Sequence, residues 1–183
     1  NARMKRPGKS FTFVVLRGVH FQYRDHYPAG AIPADSPVAL QYDTALRWSK
    51  REFFARLLAG VDRDDAAIVY TSDHGQNLTP GALPHCSREA VADEFRVPLL
   101  AFLPDRLAAR YAAATRSGHS TSQIFPAMLG WMGYDAAAAA ARYDRDLTDP
   151  TARFVWFDRA AVPMAAGASG GGHAGAPFPG TAG

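Results

Sequence analysis

Asp73 and His74 stand side by side in VYTSDHGQNL (69–78), where a short apolar run ends in polar residues. A carboxylate and an imidazole are a donor pair that suits Zn²⁺ at about 2.0–2.2 Å, or Mn²⁺. Adjacent side chains of an extended strand point opposite ways, so the two can share one ion only if the backbone turns between them. Gly75 makes such a turn accessible. The competing reading of the same residues is a plain turn in which Asp73 caps its own backbone. Two further histidines have the placement to join the pair. His20 follows the apolar run FTFVVLR (11–17) after Gly18 and Val19, and His85 lies eleven residues beyond His74 on a Gly/Pro-rich loop. His26, His119 and His173 have no partner pattern and read as surface residues. Cys86 sits next to His85, but no second base accompanies it, so it reads as an inert, buried thiol.

These residues need elements to hold them. FTFVVLR (11–17), AAIVYTS (66–72), RVPLLAFL (96–103) and RFVWFD (153–158) have the β-branched and aromatic content of strands. The polar stretch 20–37 reads as a loop. A helix follows, with Ser36 as its cap, Pro37 in its first turn, Leu46, Phe53 and Leu57 on one face, and Gly60 at its end. Residues 78–95 read as loop with a short helical turn. Ser120 and Gln123 form a capping box for a second helix that carries Phe125, Met128, Leu129 and Met132 and stops at Gly133. Strands alternating with helices predict an α/β layered fold with a mostly parallel sheet, whose ligands bind beyond the carboxyl ends of the strands. Residues 3–159 are expected to form the folded part. Residues 160–183, rich in Ala, Gly and Pro, are expected to be a tail with little to bury.

The totals narrow the function. The chain has 183 residues, 48% of them hydrophobic and 20% charged, which is the balance of a globular domain. Net charge is +3, but the arginines are scattered rather than clustered. That pattern fits a solvated surface and argues against a nucleic-acid partner. No apolar run reaches the roughly 18 residues that span a bilayer, and NARMKRPGKS at the start has no apolar segment of the kind a signal peptide carries. A single cysteine excludes an internal disulfide.

Several stretches in order resemble the sulfatase-like branch of the alkaline phosphatase superfamily. Within it they are most similar to the C-terminal half of the bacterial phosphoethanolamine transferases that modify lipopolysaccharide. FVVLRGVHFQYRDHYP resembles the family's strand, Gly-x-His and aromatic segment closing in Tyr-Pro. YDTALRWSKREFFARLL resembles its following helix, and IVYTSDHGQNL its Ser-Asp-His-Gly signature. LPH with VPLLAF resembles the loop histidine and next strand, and SQIFPAMLGWMGYD the late helix. The resemblance covers roughly residues 11–135 and implies an alkaline-phosphatase-like three-layer sandwich, present in part, with its parallel sheet flanked by helices.

It also implies roles. Asp73 and His74 match the Asp-His pair that binds a catalytic zinc, with manganese or calcium as other divalent ions. His20 and His85 match catalytic histidines that contact the transferred phosphate group or a second metal. The family's threonine nucleophile and its upstream acidic ligand have no match here, so the chain is expected to be a fragment, inactive alone. The implied partners are a phospholipid donor and a lipopolysaccharide or glycan acceptor, at the periplasmic face of the inner membrane. Attachment to that membrane would run through the missing N-terminal part, and an exposed sheet edge would allow homo-oligomers. Two other activities share these features. One is a sulfatase or phosphodiesterase, although CSREA (86–90) does not fit the Cys-x-Pro/Ala-x-Arg motif of formylglycine formation. The other is a non-catalytic binding module on the same fold. The sequence departs from the transferases at Gln76 and Asn77, which stand where those proteins continue Glu-Ser.

Overall fold

The computed structural model describes residues 8–86, 91–112, 119–143, 145–149, 155–157 and 163–165. They sort into two compact units, one of Asn1–Asp62 with Gln76–Ser87 and one of Arg63–Gly75 with Arg88–Gly183.

The first unit is built around helix α1, Val38–Ala59. Pro37 occupies the cap position with no side-chain bond. Ser36, expected to cap through its hydroxyl, instead accepts the Gln41 side-chain amide on its carbonyl at 2.7 Å. Leu46, Phe53 and Leu57 are half-buried, as their helical spacing predicts, and Ala45 is fully buried. Exposed i,i+4 pairs, Asp43–Arg47 and Glu52–Arg56, run along the solvent side. Gly60 ends α1 with its N–H on the Leu57 carbonyl. A single-turn 3-10 helix, Tyr23–His26, packs on α1. Its Tyr23 ring is 2% exposed and meets the Tyr42 ring edge-on at 5.0 Å.

The expected strand over 11–17 does not form. These residues carry no regular structure, and Phe13 and Val15 are each 78% exposed. Their residue types favour a strand, but a strand exists only when a neighbour takes up its N–H and C=O groups. Among the described residues no segment pairs with this one.

In the second unit, strand β1 (Ile68–Tyr70) pairs with β2 (Leu100–Phe102), in the register Ile68↔Phe102, Val69↔Ala101, Tyr70↔Leu100. The pairing is antiparallel, and so is that of β3 (Val155–Phe157) with β4 (Pro163–Ala165). The mostly parallel sheet expected from alternating strands and helices is therefore not seen among the described residues. A parallel pair needs a crossover, usually a helix. Between β1 and β2 the only helical element among the described residues is the 3-10 turn Ala92–Glu94. Strand β3 falls inside the strand expected at 153–158, and β4 lies within the segment expected as a tail; the rest of that tail is outside the described residues.

Helices α2 (Asp105–Tyr111), α3 (Ile124–Met132) and α4 (Ala136–Arg142) complete this unit. The core joins Tyr111, Ala127 and Leu147, with Leu99, Leu103 and Trp131 packed against them. Ala127 and Trp131 are one turn apart on α3, so one face delivers both, and the Trp131 indole N–H donates to the Tyr111 hydroxyl at 3.1 Å. Phe125, one of the apolar residues read onto this helix, is half exposed and stacks edge-on against Tyr143. The capping box forms as read: Ser120 accepts from the Ser122 N–H, and Gln123 reaches back to the Ser120 N–H at 2.9 Å. Gly133 closes α3 at φ +91°, with the Tyr134 N–H on the Leu129 carbonyl, a left-handed ending that glycine adopts without penalty. No helix among the described residues is long and apolar enough to cross a membrane.

Candidate functional site

The chain leaves β1 at Tyr70 and turns. Ser72 organises the turn: its hydroxyl lies 3.0 Å from the His74 carbonyl and 3.3 Å from Asp73 Oδ1. The His74 N–H donates to Asp73 Oδ1 at 3.0 Å, so one carboxylate oxygen is spent on the backbone. The other, Oδ2, lies 3.9 Å from His74 Nε2. The turn that the sequence required is thus present, and it brings the two side-chain heads to the same side. Two bonds of about 2.05 Å at a tetrahedral angle span about 3.4 Å, so a small rotation of the exposed Asp73 fits both heads to one ion.

The electrostatics agree with ligation. Burial pushes the Asp73 carboxyl up, but its own N–H, the His74 charge, the His74 N–H and the Ser72 hydroxyl together hold it below the usual value. The group is ionised, as a ligand must be. His74 Nδ1 lies 2.8 Å from the Gly75 carbonyl. A carbonyl only accepts, so Nδ1 carries the proton, and Nε2 is the nitrogen with the lone pair in the neutral ring.

Gly75 is needed here for space. A Cβ at this position would lie 1.9 Å from the Asp93 carbonyl oxygen and 2.6 Å from that of Arg96. The Gly75 N–H donates to the Glu94 carbonyl at 2.8 Å. The 3-10 turn at Ala92–Glu94 therefore presses on the backbone beside His74 and fixes the carbonyl that orients its ring. Glu94 itself is buried, with a side-chain oxygen on the Val91 N–H.

His20 and His85 are brought together in the other unit. Their ring centroids are 6.0 Å apart, edge to face. His20 is exposed, and its Nδ1 donates to the Phe21 carbonyl at 2.6 Å. His85 Nδ1 is 3.3 Å from Cys86 Sγ. Cys86 is exposed, not buried as expected. Among the described residues no group of three or more His, Cys, Asp or Glu side chains is arranged to hold a metal ion. Of the other histidines, His119 is half-buried and bonded to Gln123, rather than a bare surface residue, and His173 lies outside the described residues.

Three contributors were given no structural role from the sequence. Ser72 had a visible signal, because it opens the Ser-Asp-His-Gly run. Gln76 and Asn77 had none: Gln76 Oε1 accepts the Tyr23 hydroxyl at 2.9 Å, while the Asn77 N–H reaches the Pro84 carbonyl and its side chain accepts from the Thr79 N–H.

The family model described as Sulfatase matches residues 3–134, well over half of the chain. No curated protein and no solved structure matches it.

Proposed function

This chain belongs to the sulfatase family, and we propose that it serves metal-dependent transfer of a phosphoethanolamine-type group from a phospholipid donor to a cell-envelope lipid or glycan. The family supports an α/β fold of the alkaline-phosphatase type and a sulfatase-like hydrolase or transferase activity. The transferase assignment rests on the order of the motifs around Asp73, His74, His20 and His85. The observation that carries the metal dependence is local: an ionised Asp73 and a His74 of fixed tautomer, with their heads 3.9 Å apart.

In this reading Asp73 and His74 would hold a divalent ion, zinc by donor type, and the chemistry it would supply there is neutralisation of charge on the transferring group and a lowered pKa for an oxygen nucleophile. The chain's own residues do the rest. Ser72 and the His74 N–H hold Asp73 ionised and aimed. Gly75 keeps the His74 proton on Nδ1. His20 and His85 lie close enough to face one phosphate group together, where an imidazolium can donate to the departing oxygen. The threonine nucleophile and acidic ligand that the transferase resemblance implies have no counterpart in residues 11–135, so this reading assigns roles to Asp73, His74, His20 and His85 alone.

A second reading, hydrolysis of a sulfate or phosphate ester, is favoured by the family's own description. Phosphoryl and sulfuryl transfer share their electrostatics, so the fold does not separate them. The separating experiment supplies the whole gene product that carries these residues with zinc and offers it a chromogenic phosphodiester and an aryl sulfate. Phosphodiester turnover that disappears in Asp73→Ala supports the transferase reading when the phosphoryl group appears on an added lipid or glycan acceptor, and the second reading when water is the acceptor. Turnover of the aryl sulfate alone favours the second, and turnover of neither overturns both.

A further inference from the structure

The two positions at which this chain departs from the transferases' Asp-His-Gly-Glu-Ser pattern both make defined contacts. Gln76 Oε1 accepts the Tyr23 hydroxyl at 2.9 Å. Tyr23 is nearly inaccessible, and its ring is gripped edge-on by Phe21 at 5.7 Å and Tyr42 at 5.0 Å. Asn77, also buried, closes the following loop: its N–H donates to the Pro84 carbonyl at 2.6 Å, and its side-chain oxygen takes the Thr79 N–H at 3.0 Å. These two anchors bracket the segments that end in the histidines. Tyr23 lies three residues after His20, and Pro84 lies immediately before His85. All of these groups lie in one compact unit.

We infer that Tyr23, Gln76 and Asn77 are positioning residues that hold the His20 and His85 rings together as one phosphate-facing pair. The inference rests on the role proposed above for those histidines. Its geometric content, however, concerns only the pair. An exposed His20 at the end of an irregular segment has little else to fix it, since its one described hydrogen bond is to the adjacent residue. The Tyr23 hydroxyl is the buried end of that segment, and Gln76 supplies an uncharged acceptor for it. A buried phenol that loses its acceptor keeps its desolvation cost, so the segment that carries it shifts to recover a partner. The raised pKa of Tyr23, pushed up to about 12 by burial with Tyr42 adding to the effect, agrees with a proton held on this hydroxyl. A glutamate at position 76 also accepts, so the contact requires an acceptor and not the amide.

The test is nuclear Overhauser contact between the ring protons of His20 and His85 in the full chain, with thermal unfolding followed alongside. Tyr23→Phe removes the hydroxyl and keeps the ring. Gln76→Met removes the acceptor at similar size, and Gln76→Glu restores one. The expected result is a cross-peak at least about threefold weaker in Tyr23→Phe and Gln76→Met, in proteins that still fold, because displacement on the ~1 Å scale is what a positioned site does not tolerate. The cross-peak should have wild-type strength in Gln76→Glu. Should Tyr23→Phe fail to fold, Gln76→Met decides. A full-strength cross-peak in a folded Tyr23→Phe or Gln76→Met overturns the inference, as does its loss in a folded Gln76→Glu. Failure of the metal-dependent function reads out separately, as the absence of any zinc effect on Asp73 and His74 in the wild type, and leaves this comparison standing.

Discussion

Replacing Gly75 by alanine should damage this protein through backbone collision alone. The added Cβ would sit 1.9 Å from the Asp93 carbonyl oxygen and 2.6 Å from that of Arg96. Ordinary contact needs about 3.4 Å, so something must move by more than 1 Å, and neither obstacle is a side chain that can swing away. Overpacking of this kind costs about 1–3 kcal/mol. Pushing the Ala92–Glu94 turn aside also breaks the bond from the Gly75 N–H to the Glu94 carbonyl, which adds about 1 kcal/mol. The expected loss is therefore about 2–4 kcal/mol. With a urea slope of about 2 kcal/mol per molar, the unfolding midpoint should fall by about 1–2 M. Gly81→Ala is the control of a different kind: nothing lies within 4 Å of its Cβ, but φ is +80°, so only dihedral strain of about 1–2 kcal/mol opposes it. A Gly75→Ala protein whose urea midpoint equals the wild type's would refute the claim that the turn presses on the backbone beside His74.

Three other outcomes follow from the same contacts. The Tyr23 phenol should ionise near pH 12, well above free tyrosine, in a spectrophotometric titration. Because the folded state keeps this proton and the unfolded chain releases it from about pH 10, the Tyr23 contribution to stability is complete below pH 10 and disappears between about 10 and 12, a slope that should vanish in Tyr23→Phe. Gln123→Leu should destabilise by about 2–4 kcal/mol in chemical unfolding, since it strips a buried amide from the Ser120 N–H and from the Asp146 and Asp149 carbonyls. Arg47→Ala, which breaks only an exposed pair with Asp43, should change the unfolding midpoint by less than about 0.5 kcal/mol equivalent.

Features governed by neighbours in sequence were the ones legible in it. The Ser120–Gln123 box, the Gly133 ending and the apolar face of α1 each depend on residues within a turn or two, and each appears where expected. The turn between Asp73 and His74 was legible from Gly75, but the reason for the glycine was not. It lies in two carbonyls far along the chain. Strand positions at 68–70 and 100–102 were legible from residue type, whereas their antiparallel direction was not, since direction is decided by how the chain returns. The segment 11–17 shows the limit most plainly: its composition suits a strand, and composition supplies no partner. For Gln76 and Asn77, polarity gave no hint that each would be fixed to a distant residue. Of the four candidate site residues, the sequence located the types and the local pair, while the contact between His20 and His85 joins rings 65 positions apart, which local pattern does not reveal.

The central claim is that Asp73 and His74 form a metal-binding pair, and zinc titration of the isotopically labelled chain followed by nuclear magnetic resonance tests it most directly. The His74 ring and Asp73 carboxyl resonances should move first and together. Asp73→Asn should weaken the effect at His74 by at least about tenfold, the scale on which supporting groups alter metal affinity, and His26 and His119 should stay unmoved. Zinc shifts confined to His85 and Cys86, or a His74 response that Asp73→Asn leaves unchanged, would contradict it.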